Sequence, residues 1–310
     1  MIIRKAQKLK SGDKVGIVSP SEPIVFRNKF RSSIKELEKM ELRVVLGEHV
    51  FKEYRGYLAG TIEERINDLN KMIKDRQIKA IFTSLGGFSS NQLLPLISYS
   101  ALKKNPKIII GYSDISVLLN AIYAKTKLIT FHGPTLEFGI PRWKKFTRDY
   151  FEKALFESKP IGKIKSFKVL KPGKAAGRLI GGNLSVLRTL WGTKYSPNWR
   201  GTIFFWEDCN ITFEDLEHFL AHLKLVGAFG KMRGMIIGRL RNIYKFKSKR
   251  RKANTVEQII LEATKKYAFP IIMNVDFGHV SKQITIPLGA RATINTSRKF
   301  FSIDEAGVKD

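Results

Sequence analysis

Up to residue 131 the chain alternates between two hydrophobic rhythms. Short apolar runs at 14–18, 43–46, 80–84, 107–110 and 128–131 have the length and β-branched content of strands. Between them, residues 26–40 repeat apolar positions every three or four residues, the period of a helix. A second helix is predicted to start at Thr61-Ile62-Glu63-Glu64, which has the form of a capping box. Strands alternating with helices predict a mostly parallel sheet covered on both faces, with ligands beyond the carboxyl ends of its strands. From 139 to 174 the rhythm loosens into a charged, aromatic stretch with Pro141, Pro160 and Pro172. Beyond it, strands are predicted at 178–180, 202–206, 234–237, 271–275, 284–286 and 291–295, with helices at 183–190, 212–226 and 255–267. The expected fold class is therefore α/β. A mostly parallel N-terminal α/β domain spans 1–140, a connection spans 141–175, and a smaller mixed α/β domain spans 176–310.

One junction in this pattern carries chemistry. Lys107-Ile108-Ile109-Ile110-Gly111-Tyr112-Ser113-Asp114 leads from a buried strand into an apolar run of helical spacing, with Ser113 on the turn. Gly111 is expected to give the backbone the freedom to make that turn. It would lift the hydroxyl clear of the sheet and set it at the positive end of a helix. A serine so placed is a nucleophile or an ordinary helix N-cap. Ile115 stands where a G-x-S-x-G elbow would carry its last glycine, so the local pattern leaves both readings open. Gly86-Gly87 ends a neighbouring predicted strand and would open onto the same crevice.

Composition narrows the setting. Hydrophobic residues make up 43% of 310 positions, enough for one large or two medium cores. No apolar run approaches the ~20 residues of a membrane span, and the N-terminus lacks the pattern of a signal peptide. The single cysteine, Cys209, excludes an intramolecular disulfide and a cysteine metal cluster, and the cytoplasm is the expected compartment. The 56 Lys and Arg against 27 Asp and Glu give a formal charge of +29, a field that attracts anions without identifying them. The densest basic stretch, 239–252, reads as an exposed loop. A non-enzymatic anion or nucleic-acid binder would fit the charge. No helix-turn-helix, zinc-finger or RNA-binding aromatic motif supports it.

A nucleophilic serine needs a base, and the chain has five histidines. His218 and His222 are four apart on one predicted helix, but the residues between them, Phe219-Leu220-Ala221, lack the glutamate of a metallopeptidase motif. His49 reads as a surface residue. His132, in Phe131-His132-Gly133-Pro134, ends a strand beside the crevice and is the second choice. His279, in Asp276-Phe277-Gly278-His279, follows the apolar strand 271–275 on a glycine-containing loop and suits a side chain that must project into a cleft. For the acid, Glu207 ends the apolar run Thr202-Ile203-Phe204-Phe205-Trp206, where a carboxylate must find a partner or carry a desolvation cost. Asp276 is the alternative.

Assembled, these segments resemble the LD-carboxypeptidase family of serine peptidases, including its microcin C immunity branch. The resemblance runs from Gly12-Asp13-Lys14-Val15-Gly16-Ile17-Val18-Ser19-Pro20 to the second domain. It rests on Gly111-Tyr112-Ser113-Asp114, Phe131-His132-Gly133-Pro134, Gly181-Gly182-Asn183-Leu184, Glu207-Asp208 and Asp276-Phe277-Gly278-His279. It implies a triad of Ser113, Glu207 and His279 in a groove between two domains, no cofactor or metal, and a homodimer. The backbone N–H groups of Gly87 and Asp114 are expected to form the oxyanion hole, with Asn183 and Trp206 on the substrate side. The expected substrate is a small peptide with a terminal carboxylate, the L,D-bond of a murein tetrapeptide. The alternative is a peptidyl- or aminoacyl-nucleotide, whose base would stack on an aromatic ring. Leu85-Gly86-Gly87-Phe88-Ser89 replaces the Arg-Gly-Gly-Tyr-Gly of murein-recycling members, which brings the chain nearer the immunity branch. An α/β-hydrolase would use the same order of serine, acid and histidine, but its glycine-rich motifs are missing.

Overall fold

Isoleucine- and valine-rich strands build a six-stranded sheet whose centre is closed to water. The structure, a computed structural model, describes residues 2–244 and 255–310. Across the first sheet the strands run Ile286–Leu288, Thr130–His132, Ile108–Gly111, Ile78–Thr83, Lys14–Val18 and Arg43–Leu46. All pairings are parallel except that of Ile286–Leu288, which lies antiparallel along Thr130–His132. Every residue of Ile108–Gly111 is buried, as a parallel sheet covered on both faces requires. Helices Arg27–Glu38, Ile62–Lys74 and Ile115–Thr126 alternate with these strands. The capping box at Thr61 forms: Thr61 Oγ1 accepts from the Glu64 N–H at 3.2 Å, and Glu64 Oε2 accepts from the Thr61 N–H at 2.9 Å. The helix after Ser113 is buried almost throughout.

The second sheet has eight strands in the order Gly162–Ile164, Phe300–Ile303, Arg291–Asn295, Lys174–Asn183, Thr202–Glu207, Gly234–Gly238, Ile271–Val275 and Lys168–Lys171. The four strands from Lys174–Asn183 to Ile271–Val275 are parallel, and the flanking ones are antiparallel. Glu207 lies opposite Asn183 at the carboxyl end of this parallel set.

Three differences from the sequence reading concern how the halves join. Residues 141–175 are more than a connection: they form helix Lys145–Leu155 and supply both edge strands of the second sheet. Their lysine-rich, three- and four-residue strands are too short for periodicity to reveal. The strand expected at 284–286 lies at Ile286–Leu288 and pairs in the first sheet, returning the chain to the N-terminal half. Ala6–Gln7 likewise pairs in parallel with Val308–Lys309. Two buried polar bridges then fix the helix after Ser113 against strand Lys174–Asn183. Asn120 Nδ2 donates to Gly181 O at 2.7 Å, and Ser116 Oγ accepts from the Asn183 N–H at 3.0 Å.

Candidate active site

The turn between Ile108–Gly111 and Ile115–Thr126 is tight enough to force one residue into the left-handed region. That residue is Ser113, with φ +61°. A non-glycine residue held there costs about 1–3 kcal/mol and persists only where its surroundings over-determine it. Gly111 is not the source of freedom expected from the sequence. It is needed for space, since a Cβ there would run into Thr83 Oγ1 and come within 2.8 Å of Ile115 Cγ2. Nor does Ser113 act as an N-cap: the cap residue is Asp114, with no side-chain capping bond. Among the described residues Ser113 Oγ makes no hydrogen bond within the protein. The half-buried hydroxyl is therefore left for a ligand.

Gly86 and Gly87 pass directly beside it. A Cβ on Gly86 would lie 2.9 Å from Ser113 Oγ and 3.3 Å from the Asp114 nitrogen, so this close approach requires glycine. Among the described residues neither the Gly87 nor the Asp114 N–H is bonded within the protein. The Asp114 side chain ties the loops together. Its Oδ2 accepts from Ser21 Oγ at 2.6 Å, the Ser89 N–H at 3.0 Å and the Ser90 N–H at 2.8 Å. Arg65 adds a second clasp: its Nη1 donates to Pro20 O at 2.9 Å and Ser89 Oγ at 3.0 Å, and its Nη2 donates to Gln92 Oε1 at 2.7 Å. The sequence reading missed Arg65. Its signal was a charge on the same helical stripe as Leu69 and Met72, where only a bonded guanidinium is tolerated.

Glu207 and His279 meet across the ends of two second-sheet strands. His279 Nδ1 and Glu207 Oε2 are 2.8 Å apart, with the carboxylate fully buried. Gly278 makes the approach possible, since it takes φ +104° and any Cβ would lie 2.6 Å from Glu207 Oε2. Burial opposes ionisation of Glu207, but His279, helped by a hydrogen bond from Asn183, outweighs it and holds the carboxyl below its ordinary value. Burial likewise opposes the imidazolium, but Glu207 and Cys209 push the pKa of His279 up to about 10. With Nδ1 engaged, Nε2 is the nitrogen available to the serine. The ring of His279 contacts Tyr112, the residue before Ser113, at 5.0 Å between centroids. Among the described residues no hydrogen bond joins Ser113 Oγ to His279; catalytic contacts of this kind tighten when substrate binds.

The remaining candidates separate by burial and bonding. Asn183 is buried; its Nδ2 donates to Glu207 Oε1 and to Asp208 Oδ1, both at 3.3 Å, so it steadies the acid instead of facing substrate. Trp206 is fully buried, because the strand end that carries Glu207 is closed on both faces, and it offers no surface for a base. Trp191 and Trp199 are core residues too. His132, the second choice of base, is enclosed by Tyr112, Phe205 and Phe277, and burial lowers its pKa to about 4. Among the described residues neither of its ring nitrogens has a partner, and the ring is a neutral part of the wall behind His279. His49 is half-buried, with Nδ1 2.9 Å from Asp68 Oδ1. Asp276 pairs with Arg239 at 3.0 Å and Lys282 at 3.1 Å, which removes it as the alternative acid. Among the described residues no group of three or more metal-ligating side chains exists, and no helix is long and apolar enough to cross a membrane. Of the basic stretch 239–252, residues 245–252 lie outside the described residues. Arg241 donates its N–H to Asp208 O at 3.2 Å, so the stretch begins beside Glu207.

Comparison with known proteins meets this geometry from outside. Residues 15–133 match the model of the LD-carboxypeptidase N-terminal domain, and residues 176–294 match that of the C-terminal domain. A probable murein peptide carboxypeptidase of Bacillus subtilis is 34% identical over 312 residues, covering 99% of this chain and 96% of that protein. The microcin C7 self-immunity protein MccF of Escherichia coli is 33% identical over 334 residues, covering 97% and 95%. A solved structure of MccF in complex with aspartyl sulfamoyl adenosine superposes with a TM-score of 0.88 at 31% identity, covering 99% of this chain and 100% of that one. Both halves of the groove thus fall inside the matched segments, and the chain belongs to the LD-carboxypeptidase family of serine peptidases.

Proposed function

We propose that the chain hydrolyses the L,D-peptide bond before a terminal D-alanine, as in a murein tetrapeptide, through Ser113, His279 and Glu207. The observation that carries this reading is the buried Glu207–His279 contact of 2.8 Å, set against Tyr112 on the serine turn. Glu207 raises the pKa of His279, so the fraction of neutral imidazole able to act as base grows as pH rises. Neutral His279 then takes the proton of Ser113 through Nε2 as Oγ attacks the scissile carbonyl. Glu207 holds the ring and stabilises the imidazolium that forms, and His279 returns the proton to the leaving amine. Water repeats the sequence on the acyl-enzyme. The Gly87 and Asp114 N–H groups receive the oxyanion, and a donor so placed is worth roughly 3–4 kcal/mol of barrier. The reading includes a cytoplasmic enzyme and a homodimer, the latter to be tested by sedimentation.

A second reading keeps the same chemistry and changes the substrate to an aminoacyl- or peptidyl-nucleotide. It is supported by the likeness to MccF, solved with aspartyl sulfamoyl adenosine, and by Phe88, which follows Gly87 and is 84% exposed. That ring, two residues past the glycine packed against Ser113, is an exposed aromatic face of the kind that Trp206 does not offer. Mass spectrometry after incubation with a tetrapeptide ending in D-alanine and with an aspartyl-adenylate separates the two. Release of D-alanine supports the first, release of nucleotide alone moves the function to the second, and release of neither overturns both.

A further inference from the structure

Three carboxylates lie on the loops around the serine turn, with Arg65 set against one of them and Lys29 against another. The carboxylates of Asp114, Glu137 and Glu22 gather there. Asp114 accepts three hydrogen bonds and faces the charge of Arg65. Glu137 is buried and accepts from the Val25 N–H at 3.1 Å and the Phe26 N–H at 2.5 Å. Glu22 differs from both. It is half-buried, and among the described residues its carboxylate makes no ion pair and no hydrogen bond, in a chain with 56 Lys and Arg. Burial first, then Asp114 and Glu137, raise its pKa. A desolvated carboxylate among like charges lacks the cation that would relieve it.

Its position is fixed against the nucleophile. The Glu22 N–H donates to Gly86 O at 3.1 Å. A Cβ on Gly87 would lie 2.6 Å from Glu22 Cγ, just as one on Gly86 would lie 2.9 Å from Ser113 Oγ. One trans peptide unit, about 3.8 Å between Cα atoms, therefore separates the glycine against Ser113 from the glycine against Glu22. A substrate whose scissile carbonyl rests on Ser113 therefore has Glu22 on the far side of the same glycine pair, beside the groups that flank the carbonyl.

We propose that Glu22 is a specificity residue that binds a primary ammonium group on the acyl side of the scissile bond. This deepens the hydrolase reading and rests on it for the placement of Ser113. The ammonium belongs to the side chain of a diamino acid or is a free α-amino group; the chemistry at Glu22 is the same. A substrate with a carboxylate at that point is repelled by Glu22, Asp114 and Glu137 together.

Calorimetric titration of the Ser113→Ala protein tests this without turnover. The probes are Nα-acetyl-L-lysyl-D-alanine, with a side-chain ammonium, L-norleucyl-D-alanine, with an α-ammonium, and Nα-acetyl-L-norleucyl-D-alanine, with neither. One of the first two should bind about tenfold more tightly than the third, the effect of a hydrogen bond to a charged group. Adding Glu22→Gln should remove that preference, with the melting temperature confirming a folded protein. Which probe wins identifies the source of the ammonium. Equal binding of all three, binding of none, or a preference that survives Glu22→Gln overturns the proposal. Release of D-alanine by the protein with Ser113 intact is measured separately. Preference without release sinks the hydrolase reading, and release without preference sinks the role of Glu22.

Discussion

The two sides of the groove are built by different physics. On the serine side, position comes from backbone and hydrogen bonds: Ser113 is held at φ +61°, and Asp114 and Arg65 tie three loops around it. On the acid–base side, position comes from charge in a dry place: Glu207 is fully buried, His279 is pressed on it by Gly278, and the wall behind is aromatic. Damage to the first side should cost rate without moving the pH dependence. Damage to the second should move it.

The largest effect is expected at the nucleophile. Ser113→Ala should lower kcat by roughly a million-fold, to the residue of catalysis left when a triad serine is removed. Ser113→Gly should be equally inactive but more stable than Ser113→Ala by about 1 kcal/mol, since glycine takes a positive φ at no steric cost. Thermal melting compares the two. Equal stability would mean that the turn stores no strain, and that the serine side is less backbone-driven than its geometry implies.

Glu207→Gln should cost roughly ten-thousand-fold in kcat, as when a triad acid becomes an amide. Its sharper readout is pH. The reaction needs neutral His279, and Glu207 raises that pKa, so kcat/KM should climb as pH rises through a value above the ordinary 6.5 of histidine. Removing the negative charge takes away Glu207, the largest of the influences that oppose burial, so the pKa of His279 falls although Cys209 remains. The acid limb of the profile should then shift to lower pH as the rate falls. An unmoved limb would place the titrating group elsewhere.

The two sides also differ in how far the sequence discloses them. Glu207 and Gly278-His279 were legible because each ends an apolar strand, where an ionisable group has few explanations besides a partner. The α/β alternation and the capping box at Thr61 were legible because they are local. The serine side was legible only in part. The turn at Ser113 shows in the strand-to-helix junction, but its left-handed residue does not. Nothing local marks Asp114 as the knot of Ser21, Ser89 and Ser90, because those partners lie 93, 25 and 24 positions away. The return of Ile286–Leu288 to the first sheet was hidden for the same reason: three apolar residues state that they are buried, not where. The net charge misled most. A formal +29 suggests a site that attracts anions, but the loops around Ser113 carry the carboxylates of Glu22, Asp114 and Glu137, with Arg65 held against Asp114.

A smaller effect should follow from Asp114→Asn. The amide keeps the size of the side chain, but its remaining oxygen cannot serve three donors as a carboxylate does, so the 86–90 loop loses part of its anchor. kcat should fall about ten- to a hundredfold, the scale of a modestly misplaced oxyanion donor, with the acid limb of the pH profile unchanged. A shift of that limb would show Asp114 acting on His279 through charge, and the contrast between the two sides would fail.

The smallest effect is expected where the aromatic wall is least satisfied. His132 is fully buried, its ring nitrogens have no partner among the described residues, and it stands among Tyr112, Phe205 and Phe277. An imidazole in such a place costs free energy that a hydrocarbon ring of similar shape does not. His132→Phe should therefore leave stability unchanged or raise it by about 1 kcal/mol, read as a higher melting temperature. Because His132 is neutral there, its loss removes no charge from Glu207 or His279, and the acid limb should stay in place. A large loss of activity with that limb displaced would mean that the imidazole carries a proton or a bound water behind the acid. The acid–base side would then depend on a hydrogen-bond network like the one that holds the serine.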